Sequence, residues 1–568
     1  MSLSTAATAT TARITPALFA DTSTRVASRS IIILTLALIV VVGFGFRATR
    51  LGAEGLSDDE LNKLRAVEEY RTRGLTSANG EHPMLMKALL TISVVAAEGW
   101  NDSTLALGAG ATISTEAALR LPVAIFGAAT SLLIFLVTVE LFGTGTALLA
   151  AALWAIDPQA IGFNRIAKED SFFVFFFLLA NVFWLRGQRL AETETGWPAN
   201  FYWATAATFG AMVASKYIPH LISISGAYYY IFQGIPQTKW RMGLRRWIIF
   251  FAVMGAAFVL CNPTILLPDT WQEMRTFASE RRIGHDGYEF MNRLYRNQMT
   301  LWLQGSPWYF YCVFLAVKLP LLTVAAFVTG LPLLLRKHLG DGRFFLFFWL
   351  FFWFLPFTVL GGKFTRYFTL VLPAVLIIAA IGTRFIAQQL SNLVFHFTNY
   401  NKLKAWIRVM TMMAVVVSSA LASGYAAPHF RLYTNQLGGG TARAGSYFPH
   451  DEFYDANLRE AVLYIAQQAS EHAHVASETP LLVAHYAHLA GRDDLVPVSL
   501  SDKAAVRELT AGDFVIAARG RRYFSNDELL SNLQATGKPV KTLALGKVYA
   551  MSIFVLDNAS LAAVQASL

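Results

Sequence analysis

The chain has 568 residues, 55% of them hydrophobic and only 15% charged, with a mean hydropathy of +0.44. A soluble domain carries about 25% charged residues, so disorder, coiled coil and collagen are excluded and a polytopic helical membrane protein is indicated. The long apolar runs exclude an outer-membrane barrel, and in such a chain the net charge of +10 orients spans and meets lipid phosphates rather than nucleic acid.

Residues 1–30, rich in Ala, Thr and Ser, read as a flexible cytoplasmic tail. The run 31–49 is about 28 Å long as a helix, one hydrocarbon core. It is long for a signal peptide and lacks a clean cleavage site, so it reads as a retained first span. Ten further runs lie near 119–139, 142–157, 171–185, 201–217, 218–234, 247–264, 308–335, 344–361, 367–387 and 406–427, which makes eleven spans. Segment 83–99 is short and carries Lys87 and Glu98, and reads as a half-buried juxtamembrane helix within a first outer loop, 50–118. This count puts the basic connections 186–189, 239–246 and 336–343 in the cytoplasm. The C-terminus then lies outside, and 31–427 forms the membrane domain.

Residues 428–568 lose the long apolar runs and read as a small extracytoplasmic α/β domain. Asp455 is expected to cap a helix burying Leu458, Val462, Ile465 and Ala466. Ser525 with Glu528 resembles a capping box. Strands are expected at 481–484, 514–517 and 549–556. Cys261 and Cys312 build no disulfide framework or metal cluster, and the loose His472/His474 and His485/His488 pairs lack completing ligands.

The candidate chemistry lies at outer span ends. Ser57-Asp58-Asp59-Glu60 places three carboxylates directly after the first span; the same acids suit a helix N-cap and first turn. Asn164-Arg165-Ile166-Ala167-Lys168-Glu169-Asp170 opens the Phe-rich third run after the outer loop. Asp170 there is either a cap or a functional group, since burying it unpaired is costly. Lys216, Lys318, Lys363 and Arg366 are each explained as snorkelling cations; several on one face suit an anionic lipid headgroup. His82 precedes Pro83 on the same side.

In this order, these pieces resemble the GT-C glycosyltransferases, and within them the protein O-mannosyltransferase and lipid A aminoarabinose transferase group. The matching residues are Asp59-Glu60, Glu81-His82-Pro83-Met84-Leu85-Met86-Lys87, Arg165 with Asp170, Gly305-Ser306-Pro307-Trp308-Tyr309-Phe310-Tyr311 with Lys318-Leu319-Pro320, and Thr365-Arg366-Tyr367-Phe368 before Leu372-Pro373. The family's His-Pro-Pro-Leu reads His82-Pro83-Met84-Leu85 here. The aminoarabinose branch resembles Lys-Pro-Pro-Leu and carries Arg three residues after its Asp, where this chain has Asn62. His82 therefore points to the mannosyltransferase-like branch.

The resemblance implies a polyprenyl-phosphate-linked sugar donor, an outer-face reaction that inverts the anomeric centre, and no metal or other cofactor. The acceptor is a hydroxyl on a protein, lipid or glycan, and the setting is a multi-pass bacterial inner membrane with the site on the periplasmic face. Asp59 is then the general base, with a raised pKa expected from partial burial beside Glu60. Glu60 would hold the loop helix or share acceptor contacts. Arg165 and Arg366 would share one phosphate, with Lys216 in support, and Asp170 would orient Arg165 or the acceptor. The rivals are a ligase or polymerase acting on lipid-diphosphate oligosaccharide, and a lipid-sugar transporter with polar groups at mid-bilayer.

Overall fold

A computed structural model describes residues 29–193, 196–232, 240–279, 284–398 and 400–568; nearly all of the tail read at 1–30 lies outside them. Helix α1 (Arg29–Ala48) is followed by α2 (Asp58–Arg73), α3 (Met84–Asn101) and α4 (Thr104–Ala109). Next come α5 (Thr115–Phe142), α6 (Thr144–Ile156), α7 (Pro158–Phe163), α8 (Glu169–Thr193), α9 (Pro198–Val213), α10 (Ile222–Ala227), α11 (Leu244–Cys261) and α12 (Pro268–Ser279). A hairpin of β1 (Gly284–Phe290) and β2 (Arg293–Gln298) precedes α13 (Phe310–Lys318), α14 (Leu321–Leu333), α15 (Gly342–Val359), α16 (Leu372–Thr398) and α17 (Asn401–Ala426).

Among the described residues seven helices are long and apolar enough to cross a membrane: α1, α5, α8, α11, α15, α16 and α17. The other four runs give shorter or broken helices. Run 142–157 forms α6, with 13 residues, and 201–217 forms α9, with 16. Run 218–234 divides into a 3-10 turn, α10 and a π turn at Tyr228–Phe232. Run 308–335 breaks at Leu319-Pro320 into α13 and α14, because Pro320 lacks the N–H that would continue the ladder.

Segment 83–99, expected to be helical, forms α3. Its Met86, Leu90, Val94 and Ala97 recur at helical spacing and are buried. They share one apolar cluster with Leu61, Leu64 and Val67 of α2 and Leu119 and Val123 of α5. Lys87, on the same helix, gives its ammonium to the carbonyls of Ala78, Asn79 and His82 and so closes the preceding turn.

The C-terminal region holds α18 (Pro449–Phe453), α19 (Leu458–Gln468), β3 (His474–Ser477), α20 (Pro480–Leu489), β4 (Val496–Ser499), α21 (Lys503–Arg507), β5 (Phe514–Ala518), α22 (Asp527–Thr536), β6 (Lys541–Leu545), β7 (Val548–Val555) and α23 (Asn558–Gln565). The sheet order is β4-β3-β5-β7-β6. β3 pairs in parallel with β4 and β5, while β7 runs antiparallel to β5 and β6. The strands expected at 514–517 and 549–556 are β5 and β7. The one expected at 481–484 is instead the first turns of α20, where Pro480 takes the N-terminal position that tolerates proline. Asp455 does not cap α19, since it pairs with Arg521, and Asn457 stands at the cap. Neither does Ser525 cap α22; its hydroxyl bonds Ser501.

This sheet domain is fused to the segment between α1 and α5. Leu458, Val462, Ile465, Leu482 and Tyr486 join the apolar cluster of α2, α3 and α5. The Tyr486 hydroxyl accepts the Leu56 N–H at 2.6 Å, and the Gly55 N–H donates to the Ala456 carbonyl at 3.2 Å. A side chain at Gly55 would meet Arg459 Cβ at 2.9 Å, so glycine permits the approach. Tyr486→Phe leaves a buried N–H without its acceptor and should cost about 1–3 kcal/mol. Thermal unfolding of the purified variant, read against the native chain, checks this.

Candidate active site

Helix α2 begins at Ser57, whose hydroxyl accepts the Glu60 N–H while Glu60 returns to the Ser57 N–H, a complete capping box. Glu60 is also buried against Arg120 of α5, with Nε to Oε1 at 2.8 Å and Nη2 to Oε2 at 2.7 Å. It further accepts the Ala167 N–H at 2.8 Å. Arg120 spends its remaining donors on the carbonyls of Leu51, Glu54 and Gly55. Glu60 therefore holds the loop helix, which was one of the two roles expected of it.

One residue earlier on the turn, the Asp59 side chain is about one-third exposed (34%). Lys168 reaches its Oδ2 at 2.7 Å, and the Tyr454 hydroxyl donates to the same oxygen at 2.5 Å. Burial pushes the carboxyl up, but Lys168, Arg366 and Lys63 outweigh it and hold Asp59 well below the usual carboxylate range. The raised value expected from the sequence is thus reversed, because Lys168 and Arg366, brought in from distant segments, join Lys63 of the same helix around Asp59. Asp58 shifts the other way. Burial raises it, Asp455 and Asp59 add to the rise, and Arg521 and Lys168 oppose it.

Lys216 ion-pairs with Asp170 Oδ1 at 2.5 Å and sits 4.9 Å above the Tyr367 ring. Arg366 lies 5.5 Å from the same ring and 4.0 Å from that of Phe364. Its guanidinium donates to Asp451 Oδ1 at 3.2 Å. Asp451 also accepts from Tyr288 and from the Thr365 N–H, which fixes the 3-10 turn carrying Arg366. Lys216, Asp170, Tyr367 and Arg366 thus stand together. Asp170 Oδ2 is buried with no hydrogen-bond partner.

His82 contacts Glu169 Oε1 at 3.3 Å, and Lys63 reaches the same oxygen at 3.0 Å. Burial lowers the imidazole well below its ordinary value despite Glu169, so His82 is neutral. It is linked to Asp59 through Glu169 and Lys168, which lie 4.0 Å apart. Among the described residues no group of three or more His, Cys, Asp or Glu is placed to hold a metal ion. His474 and His488 contact Asp513 and Asp493 instead.

Residues 104–267 match the model of the dolichyl-phosphate-mannose-protein mannosyltransferase family. Among curated proteins none matches. The Archaeoglobus fulgidus oligosaccharyltransferase AglB, solved with an inhibitory peptide and a dolichol-phosphate, superposes with a TM-score of 0.52 at 10% identity. The match covers 95% of this chain and 77% of that one. The fold is that of the GT-C glycosyltransferases. ArnT from Cupriavidus metallidurans, bound to undecaprenyl phosphate, gives 0.49 at 13% identity over 94% of this chain and 99% of its own. The S. cerevisiae Pmt1-Pmt2 complex, bound to the sugar donor, gives 0.33 at 15% identity over 47% and 39%. The GT-C resemblance read from the sequence is borne out.

Within this GT-C fold Arg165 is not where the sequence reading put it. Its guanidinium donates to the carbonyls of Phe46, Arg47, Thr49 and Arg50 and lies on the Phe430 ring. It caps the C-terminal end of α1, whose last carbonyls lack helical partners, and is spent there. Asp170 consequently pairs with Lys216, not with Arg165. Lys318 and Lys363 are also structural: the first binds Glu452 and the Arg431 carbonyl, the second the Ser306 and Leu360 carbonyls. Lys168, Tyr454, Tyr367 and Asp451 are the members that residue pattern did not single out. Lys168 and Tyr367 lie inside quoted stretches but were given no role, whereas nothing local marks Tyr454 or Asp451. Arg165→Met should lower stability by about 1.5–3 kcal/mol or more, the cost of losing charged hydrogen bonds, and leave lipid-phosphate affinity of the folded fraction unchanged. Thermal melts paired with a binding titration separate the two effects.

Proposed function

We propose that the chain is an integral-membrane GT-C glycosyltransferase that moves a monosaccharide from a polyprenyl-phosphate donor to a hydroxyl acceptor with inversion. The observation that carries this is the ionised, partly open Asp59 carboxylate beside Lys168 and Arg366, with Lys216 adjoining across Tyr367. Asp59 accepts the acceptor hydroxyl's proton as that oxygen forms its bond to the anomeric carbon. The bond from that carbon to the phosphate oxygen breaks, and its electron pair leaves with the lipid phosphate. Arg366 and Lys216 meet the growing phosphate charge, so this reading uses side-chain cations in place of a metal. Asp170 holds Lys216 in position. His82, neutral, hydrogen-bonds sugar or acceptor, in line with the mannosyltransferase-like branch. The dolichyl-phosphate-mannose model over 104–267 and the dolichol-phosphate of the AglB complex support a lipid-phosphate donor.

In this reading 186–189 is cytoplasmic, and Asp59, Asp170 and the sheet domain are outside a bacterial inner membrane. A membrane-impermeant thiol reagent should label a cysteine placed at 440 and miss one at 188; the reverse pattern removes the topology. A second reading, transfer of an oligosaccharide from a lipid diphosphate, is favoured by the AglB superposition, since AglB is an oligosaccharyltransferase. Supplying purified enzyme with each donor class decides between them.

Asp59→Asn keeps the size but cannot take a proton, and turnover should fall about 10²–10⁴-fold with donor binding retained; Asp58→Asn should be far milder. Equal, near-native turnover in both variants removes the general-base assignment. The pH profile gives a separate check. A base held well below the usual carboxylate range stays ionised as pH falls, so the acid limb of kcat/KM should lie below about pH 4. Lys168→Met withdraws the nearest cation, raises the Asp59 pKa and should move that limb to higher pH.

A further inference from the structure

A groove of about 490 Å³ opens where α1 meets the segment after α17. Val42, Gly45 and Phe46, spaced as one stripe of α1, and Thr49 just past its end line it together with Pro428 and Phe430. A side chain on Gly45 would meet nothing within 4 Å, so the glycine leaves the groove floor open. The volume falls within the range of about 300–1,000 Å³ typical of ligand clefts. Arg50, exposed at the rim, is its one charged lining residue.

A second, water-sized polar pocket adjoins the groove through Pro428 and Phe430 and is lined by Glu54, Arg120, Arg165 and Arg431. Its guanidinium groups are engaged, Arg120 by Glu60, Arg431 by Glu54 and Arg165 by the carbonyls at the end of α1, so the exposed charge of the groove is that of Arg50. Arg431 is 9% exposed, and its Nε is buried without a hydrogen-bond partner. None of the groove's lining residues belongs to the set around Asp59. The outward faces of α1 and α17 on either side are apolar and exposed, with Leu38, Val41 and Phe44 on the one and Val417, Leu421 and Tyr425 on the other.

We propose that this groove is a binding site for an anionic phospholipid of the bilayer, one acyl chain lying along the Gly45 stripe and the phosphate meeting Arg50. The apolar lining selects a hydrocarbon chain, and the exposed Arg50 at the rim selects the headgroup charge. The site is separate from the donor's in that its lining shares no residue with the set around Asp59.

The test is titration of the delipidated, detergent-solubilised full chain with spin-labelled phosphatidylglycerol and phosphatidylcholine. Phosphatidylglycerol should bind about fivefold tighter, as expected for one basic residue near a lipid phosphate. Arg50→Gln should abolish the difference, and Gly45→Leu, which fills the floor, should weaken both lipids. Equal affinity of the two lipids for the native chain overturns the proposal, as does preference retained in Arg50→Gln. Displacement of the spin label by an equimolar polyprenyl phosphate also overturns it, by giving the groove to the donor. Gly45→Leu is scored only if its thermal melt matches the native one; Arg50→Gln keeps the proposal falsifiable if it does not.

Discussion

The Glu60 carboxylate is where three stretches of the chain meet. It closes the cap of α2, receives both guanidinium arms of Arg120 from α5, and takes the Ala167 N–H from the segment that leads into α8. A buried ion pair of this kind contributes little net stability compared with apolar packing, but it fixes one arrangement, because removing either partner strands a charge. What it fixes here is the bearing of α2. Successive residues on a helix point about 100° apart, so with Glu60 locked inward its neighbour Asp59 must face the cleft. The same lock brings Ala167 alongside, and with it Lys168, the cation nearest Asp59. Asp59, the proposed base, and Lys168 are therefore both placed by Glu60, which has neither role in that proposal.

Charge around the cleft is arranged in linked pairs. Asp59 faces Lys168, Asp170 faces Lys216, Asp451 faces Arg366 and Asp455 faces Arg521. Each cation is paired with a carboxylate, which limits the cost of holding so many charges at partial burial. Lys216 and Arg366 both stand against the Tyr367 ring, at 4.9 and 5.5 Å from its centre, so the ring ties the two cations to one place. An arriving phosphate would compete with Asp170 and Asp451 for these cations. The resulting loss of one partner and gain of another resembles solvent replaced by fixed dipoles, the condition in which charge stabilisation is most effective.

The largely helical, membrane-type fold, helix α3, strands β5 and β7 and the acidic α2 start were all legible in the sequence, because each is a local pattern of period, length or cap. The failures share a cause. Run 308–335 reads as one span by hydropathy, and only Pro320 betrays the break. Leu481-Leu482-Val483-Ala484 is apolar enough for strand or helix, and the preceding Pro480 was the arbitrating cue. The hairpin turns at Met291 and Asn292, both with positive φ; Asn suits that backbone, but Met at the first position hides the signal. Arg165 was misplaced for a different reason. An arginine at a span mouth fits a phosphate ligand and a helix cap equally well, and the carbonyls it caps lie more than a hundred residues away in sequence. Tyr454 and Asp451 reach the cleft from still farther along the chain.

Those last two show why the sheet domain belongs to the site. Tyr454 and Asp455 are consecutive non-glycine residues with positive φ, 49° and 61°, a conformation that costs about 1–3 kcal/mol per residue. Such backbone persists only when its surroundings over-determine it. Here they do: the Tyr454 hydroxyl is held by Asp59, and Asp455 is held by Arg521 and by the Asp58 N–H. The segment just before it is anchored as well, with Asp451 on Tyr288 and Thr365 and Glu452 on Lys318. The strained turn is thus clamped at both ends by residues of the segment between α1 and α5 and of the membrane helices. An independent soluble module would have no reason to keep such a turn, whereas one that completes the wall around Asp59 needs the tyrosine aimed where an ordinary helix end would not put it.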